Sequence, residues 1–134
     1  MKKNTSDNTG KRPDIAIFNE EGVAVIIEFK APDVEMVNHI GDLNEYAQLI
    51  VAKSKGKIKR VYAYLIGGSL NPNRLRGFKK FSNNKGWFQT SDIDEPETGI
   101  TIGQQYSEIL FYDHVVDRAD VRLAAFKDRL KLDL

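Results

Sequence analysis

Apolar and polar positions along the first half of the chain predict a hairpin, a helix and a further strand. Residues 14–18 and 23–29 are apolar and β-branched, and the polar segment 19–22 separates them. Two such runs with a short glycine-containing connection are typical of antiparallel strands. Apolar residues then recur at helical spacing over residues 34–54, and residues 60–67 are rich in aromatic and β-branched side chains. The predicted order is strand, strand, helix, strand.

The second half of the chain has weaker patterns. Residues 91–98 are acidic and include Pro96, so we predict an exposed loop there. A short strand is predicted at residues 108–112, and Asp113 can cap a last helix that runs to about Leu130. Strands that precede and follow a helix indicate an α/β domain.

Composition limits the class of protein. The 134 residues are 41% hydrophobic and 29% charged and contain no cysteine, which is typical of one globular domain without disulfides. Residues 1–11 are polar and predict a disordered tail or linker, so the domain should span residues 12–134. No apolar run approaches the roughly 20 residues of a membrane helix. We therefore expect a cytoplasmic protein that does not enter a membrane.

The hairpin carries the candidate chemistry. If Gly22 takes the left-handed position of a three-residue loop, Ile17 faces Val25 and Asp14 faces Glu28. Facing residues have Cβ atoms about 4.5–5.5 Å apart, and alternation places Lys30 on the same face as Glu28. Two facing acids require a compensating cation. Lys30 alone could supply it in a surface ion-pair cluster, or a hard divalent ion could bind.

The motif at this hairpin resembles a known signature. Arg12-Pro13-Asp14, followed fourteen positions later by Glu28-Phe29-Lys30, is similar to the PD-(D/E)xK motif of restriction-endonuclease-like nucleases. The segments RPDIAIF, VIIEFKAP, RVYAYLIGG and YSEILFYDHVVDRADVRLAAF resemble the nuclease-like domain C-terminal to some bacterial GHKL-type ATPases. The resemblance implies a restriction-endonuclease-like mixed β-sheet flanked by helices.

The resemblance also implies an activity, hydrolysis of DNA phosphodiester bonds. Asp14, Glu28 and the Phe29 carbonyl would bind Mg²⁺ or Mn²⁺, and Lys30 would position or deprotonate the attacking water. The expected partners are DNA, an ATPase domain upstream in a longer protein, and a second copy of the chain in a homodimer. The alternatives are a catalytically inactive module of the same fold that binds nucleic acid or a protein, and a purely structural domain.

The chain departs from the family pattern in two places. Many members carry an acidic residue on a helix before the hairpin, and no such helix precedes this one, which suggests a piece of a longer protein. Related nucleases also often have a glutamine on the helix after the lysine, for which both Asp42 and Gln48 are candidates.

Basic and aromatic residues interleave between residues 71 and 88 despite a net charge of only +1. This segment could contact phosphates and stack on bases, or its aromatic rings could simply attach a solvated loop to the core. His39 and His114 lack the spacing of metal ligands. Arg118 and Arg122 lie one turn apart on the predicted last helix, a pattern that more often indicates a solvated helix face than a phosphate-binding site.

Overall fold

The computed structural model describes residues 13–115, in which six strands, one long helix and the helical residues 112–115 are joined by turns and loops. The strands are β1 (Ile15–Phe18), β2 (Val23–Phe29), β3 (Arg60–Gly67), β4 (Lys79–Lys80), β5 (Trp87–Asp94) and β6 (Thr101–Phe111). Helix α1 is Ile40–Lys53, and 3-10 turns occur at Met36–His39 and Pro72–Arg74. The predicted tail and nearly all of the predicted last helix, with Arg118 and Arg122, lie outside the described residues.

The strands form one mixed sheet in the order β1-β2-β3-β6-β5-β4. Strand β2 runs parallel to β3, and β3 runs parallel to β6, whereas β1, β5 and β4 pair antiparallel with their neighbours. Helix α1 makes the crossover between β2 and β3, as parallel neighbours require. The predicted α/β class and the order strand, strand, helix, strand are therefore confirmed.

The core lies between α1 and one face of the sheet, called here the helix face. Buried residues of α1 recur every four positions, at Leu43, Ala47 and Val51, so they form one stripe along the helix. Beneath this stripe, the buried sheet residues include Ala24 and Ala63, whose small side chains let the helix approach closely. No helix within the described range is long and apolar enough to cross a membrane.

Two predictions for the second half of the chain are right only in part. Residues 95–98 form the predicted loop, but residues 91–94 belong to β5. A strand does occupy residues 108–111, but it is the end of β6, which begins at Thr101 and has 11 residues. The acidic part of β5 is stable because β6 supplies cross-strand partners. The side chain of Gln104 donates to Asp92 (3.1 Å) and that of Thr101 donates to Asp94 (2.8 Å).

Candidate metal centre

The turn between β1 and β2 fixes which residues face each other. Gly22 has φ +87°, in the left-handed region that glycine adopts at little cost. The Asn19 side chain accepts hydrogen bonds from the backbone N–H groups of Glu21 (2.9 Å) and Val23 (3.1 Å) and so stabilises the turn. Ile17 pairs with Val25 and Ile15 pairs with Ile27, which confirms the predicted register.

Beyond the last paired residues of the hairpin, backbone N–H groups hold the side chains of both acids. The backbone N–H of Asp14 donates to Glu28 Oε1 (3.1 Å), and the backbone N–H of Phe29 donates to Asp14 Oδ2 (2.8 Å). Each carboxylate is thus held by the backbone of the opposite strand, and both lie at the same end of the hairpin. Hydrogen bonds from N–H groups to carboxylates are shorter and stronger than those between neutral groups, so both acids are well oriented.

Lys30 completes the arrangement. Its Nζ lies 2.9 Å from Glu28 Oε2, and the two side chains are 23% and 18% exposed, respectively. The Lys30 backbone is held on both sides, since its N–H donates to the Ile66 carbonyl (2.8 Å) and its carbonyl accepts from the Tyr112 hydroxyl. We call Asp14, Glu28 and Lys30 the hairpin cluster.

All three members of the hairpin cluster lie on the helix face. Alternation along β2 places Glu28 on the side of the buried Ala24 and Ile26, and Lys30 continues that series. Asp14 is exposed, and Glu28 and Lys30 keep part of their surface in solvent. The cluster is therefore open to solvent at the end of the sheet, just beyond the apolar core.

Phe29 contributes differently from the other predicted site residues. Its side chain projects from the opposite face of β2 and is 43% exposed. Its N–H bond to Asp14 helps to orient that carboxylate. The predicted role of its carbonyl as a metal ligand stays a prediction.

The donor set of the hairpin cluster suits a hard divalent cation. Mg²⁺ prefers carboxylate and carbonyl oxygens and keeps several of its waters, so two adjacent carboxylates are a sufficient protein contribution. Within residues 13–115, no group of three or more His, Cys, Asp or Glu side chains could hold a metal ion. A metal in the hairpin cluster would therefore bind to two acids only, and it would compete with Lys30 for Glu28.

The helix candidates lie far from the hairpin cluster. Gln48 donates from Nε2 to the Asp94 carbonyl (2.7 Å), and Asp42 lines the same groove between α1 and β5. Strand β5 is separated from β2 by β3 and β6, a lateral distance of about 14 Å. Neither helix residue therefore lies close enough to share a site with Glu28.

The histidines have structural positions. His39 is half-buried where the 3-10 turn meets α1, and its side chain makes no capping hydrogen bond there. His114 accepts a hydrogen bond at Nδ1 from the Phe111 backbone (3.1 Å), and the two rings are in contact. The two histidines thus occupy separate parts of the fold.

The aromatic residues of segment 71–88 pack inward. Trp87 is 8% exposed and meets Phe111 edge to face, Phe81 packs on Phe88, and Phe78 lies against the core. This arrangement matches the interpretation in which these rings attach the segment to the core. The basic residues are more exposed, and Lys80 lies over the Trp87 ring with its Nζ 5.6 Å from the ring centroid.

Two polar features of the structure were not predicted from the sequence. One is a groove of about 600 Å³ between α1 and β5, with carboxylates from Asp42, Glu45, Asp92 and Asp94 in its lining. Its signal in the sequence is the alternation of acids around Ile93. The other is Glu108, which is 1% exposed on β6 and accepts from the Tyr106 hydroxyl (2.7 Å).

Comparison with known proteins gives no match to a family model, a curated protein or a solved structure. The proposed function therefore depends on the residues of the hairpin cluster and their geometry.

Proposed function

We propose that this protein is a metal-dependent nuclease of the PD-(D/E)xK type that hydrolyses DNA phosphodiester bonds at the hairpin cluster. The observation that carries the proposal is the convergence of two carboxylates and one ammonium group at the open end of a hairpin. Asp14 and Glu28 are each bonded to the backbone of the opposite strand, and Lys30 is paired with Glu28 at 2.9 Å.

In this proposal, Asp14 and Glu28 would hold Mg²⁺ or Mn²⁺ together with the Phe29 carbonyl. The bound ion would supply a Lewis acid for a phosphodiester oxygen and lower the pKa of a coordinated water. Lys30 would hold the attacking water by hydrogen bonding and offset negative charge as it develops on the phosphate oxygens. Its ion pair with Glu28 orients the ammonium group, and the two bonds to its own backbone limit its movement.

The main alternative is a module of the same fold that binds nucleic acid or a protein without catalysis. One observation favours it: the Glu28 carboxylate already has Lys30 as a cationic partner, so this carboxylate is charge-paired without a metal. A nuclease requires that a divalent ion bind here despite this ammonium group. Divalent-ion binding by the hairpin cluster therefore separates the two functions.

The activity test is cleavage of supercoiled plasmid DNA with Mg²⁺ or Mn²⁺. We expect cutting by the wild type and a loss of at least about 100-fold in Glu28→Gln and Lys30→Met, since each removes a group that acts on the transition state. Glu20→Gln and Lys57→Met, both at exposed positions away from the cluster, are the matched controls and should cut normally. Equal cutting by wild type and both cluster variants would refute the active-site assignment.

The metal test is calorimetric titration with Mg²⁺ alone. Glu28→Gln should weaken binding, because it removes one anionic ligand. Lys30→Met should leave binding unchanged or tighten it, because a repelling charge is removed. This opposite response distinguishes a metal centre from a simple ion pair. A wild type that binds no divalent ion would favour the non-catalytic module.

The proposal extends to location and partners. Because the chain contains no cysteine and its proposed substrate is DNA, we propose a cytoplasmic location. An upstream ATPase domain and a homodimer remain proposals from the resemblance.

A further inference from the structure

The connection that follows β3 lies at the same end of the sheet as Lys30. Gly68 approaches Pro32 so closely that a Cβ at Gly68 would lie 2.7 Å from the Pro32 carbonyl oxygen. The backbone N–H of Met36 donates to the Ser69 carbonyl (3.0 Å). The connection therefore packs along the segment that begins directly after Lys30.

The Glu35 carboxylate fixes the next part of this connection. Glu35 accepts from the backbone N–H of Asn71 with both oxygens, each at 3.1 Å. It also accepts from the N–H of Val37 (3.1 Å). The half-buried Glu35 side chain thus holds two chain segments together. Residues 69–74 are therefore a loop held in place by contacts.

Arg74 is the cation that this connection presents. Its side chain is exposed, and Nη2 donates to Asn38 Oδ1 (2.7 Å). A guanidinium group carries five N–H donors, so one bond to Asn38 orients it and leaves most of its donors for another acceptor. Asn38 belongs to the turn that starts at Met36, whose sulfur lies beside Gly67 at the end of β3.

We propose that Arg74 binds a phosphate of the DNA backbone next to the phosphodiester group at the hairpin cluster. This inference rests on the proposed nuclease function and adds a substrate-positioning residue to it. A planar guanidinium that is already oriented binds phosphate through two parallel hydrogen bonds. Arg76, whose Nη1 donates to the Asn73 carbonyl (2.8 Å), adds a second guanidinium group to the same connection.

The matched control is Arg60, an exposed arginine at the opposite end of β3. Seven residue steps separate Arg60 from Gly67, which corresponds to about 23 Å along the strand. Arg60→Ala and Arg74→Ala make the same change in net charge. A difference between them therefore reports position and not total charge.

The test is the fluorescence anisotropy of a labelled 20-base-pair DNA duplex, measured in EDTA so that no cleavage occurs. We expect Arg74→Ala to weaken binding about tenfold and to reduce the slope of log K against log salt by about 1, as for one lost phosphate contact. Arg60→Ala should change binding less than twofold. Asn38→Ala should weaken binding while the salt slope stays the same, because the charge remains but its orientation is lost.

Equal losses in Arg74→Ala and Arg60→Ala, or no loss in Arg74→Ala, would overturn the inference. So would a wild type that does not bind the duplex. The nuclease proposal is tested separately by cleavage with Mg²⁺. DNA binding that depends on Arg74 without any cleavage would refute the nuclease alone, and cleavage that is unaffected by Arg74→Ala would refute the phosphate contact alone.

Discussion

Gly22 sets the register of the hairpin, and replacing it tests the geometry on which the site depends. Its φ of +87° lies in the left-handed region, where an L residue costs about 1–2 kcal/mol. A Cβ at this position would also lie 3.0 Å from the Lys57 carbonyl oxygen, which is tight enough to force a shift. Alanine would offset about 0.4–1 kcal/mol of this cost, because it lowers the conformational entropy of the unfolded chain. We expect Gly22→Ala to lower the free energy of unfolding by about 1–2 kcal/mol.

Substitutions at two other glycines distinguish the effect of backbone strain from that of the close contact with Lys57. Gly56 has φ +88°, and a Cβ added there would meet no atom within 4 Å, so Gly56→Ala carries only the backbone strain. Gly41 lies in α1 with no neighbour in that space, and Gly41→Ala should raise the free energy of unfolding by up to about 1 kcal/mol. From the most to the least stable, the expected order is Gly41→Ala, wild type, Gly56→Ala and Gly22→Ala.

Urea denaturation followed by the fluorescence of Trp87 measures these differences, because this buried residue is the single tryptophan of the chain. Gly22→Ala should also weaken Mg²⁺ binding if the turn aligns Asp14 with Glu28. A Gly22→Ala variant as stable as the wild type, or more stable than Gly56→Ala, would show that the tight turn is not as described.

Two further predictions concern the core and the response to acid. Leu65→Ala, at a position with no exposure, should cost about 2–5 kcal/mol of unfolding free energy in urea, whereas Phe18→Ala, at a position 45% exposed, should cost far less; similar losses would contradict the packing. The Thr98 backbone N–H, more than that of Glu97, lowers the pKa of Glu95 below its ordinary 4.5, against the opposing effect of desolvation. The contribution of Glu95 to stability is therefore complete above about pH 4.5 and lost as the pH falls through the lower folded value. The stability difference between wild type and Glu95→Gln should shrink from pH 7 to pH 3, and a constant difference would argue against this bond.

The hairpin and its cluster could be predicted because the interactions that form them are local. Asp14 and Glu28 are 14 residues apart, and one turn joins their strands. Once Gly22 provides the left-handed residue, the pairing of every later residue follows from the two-residue period of a strand. The bounds of β2 and β3 agreed with the predicted runs for the same reason, since both strands are almost continuously apolar.

The start of the helix was only partly predictable. Apolar spacing indicated one helix over residues 34–54, but the structure has a 3-10 turn at Met36–His39 before α1 begins at Ile40. The Glu35 carboxylate and the Ser69 carbonyl hold this turn in place. Because Ser69 lies 33 positions beyond Met36, no local pattern could reveal this contact.

Strands β5 and β6 show what tertiary structure alone decided. Residues 91–94 and 101–107 are too polar to be recognised as strands, and they become strands because each supplies the other with backbone and side-chain partners. The insertion of β6 between β3 and β5 likewise depends on pairs that are more than 40 residues apart, such as Arg60 with Gln104. Long-range contacts also turned the aromatic rings of segment 71–88 toward the core and attached Arg74 to Asn38. Local sequence determined the hairpin cluster itself, whereas distant pairing determined its surroundings, because the partners there are adjacent only in the folded chain.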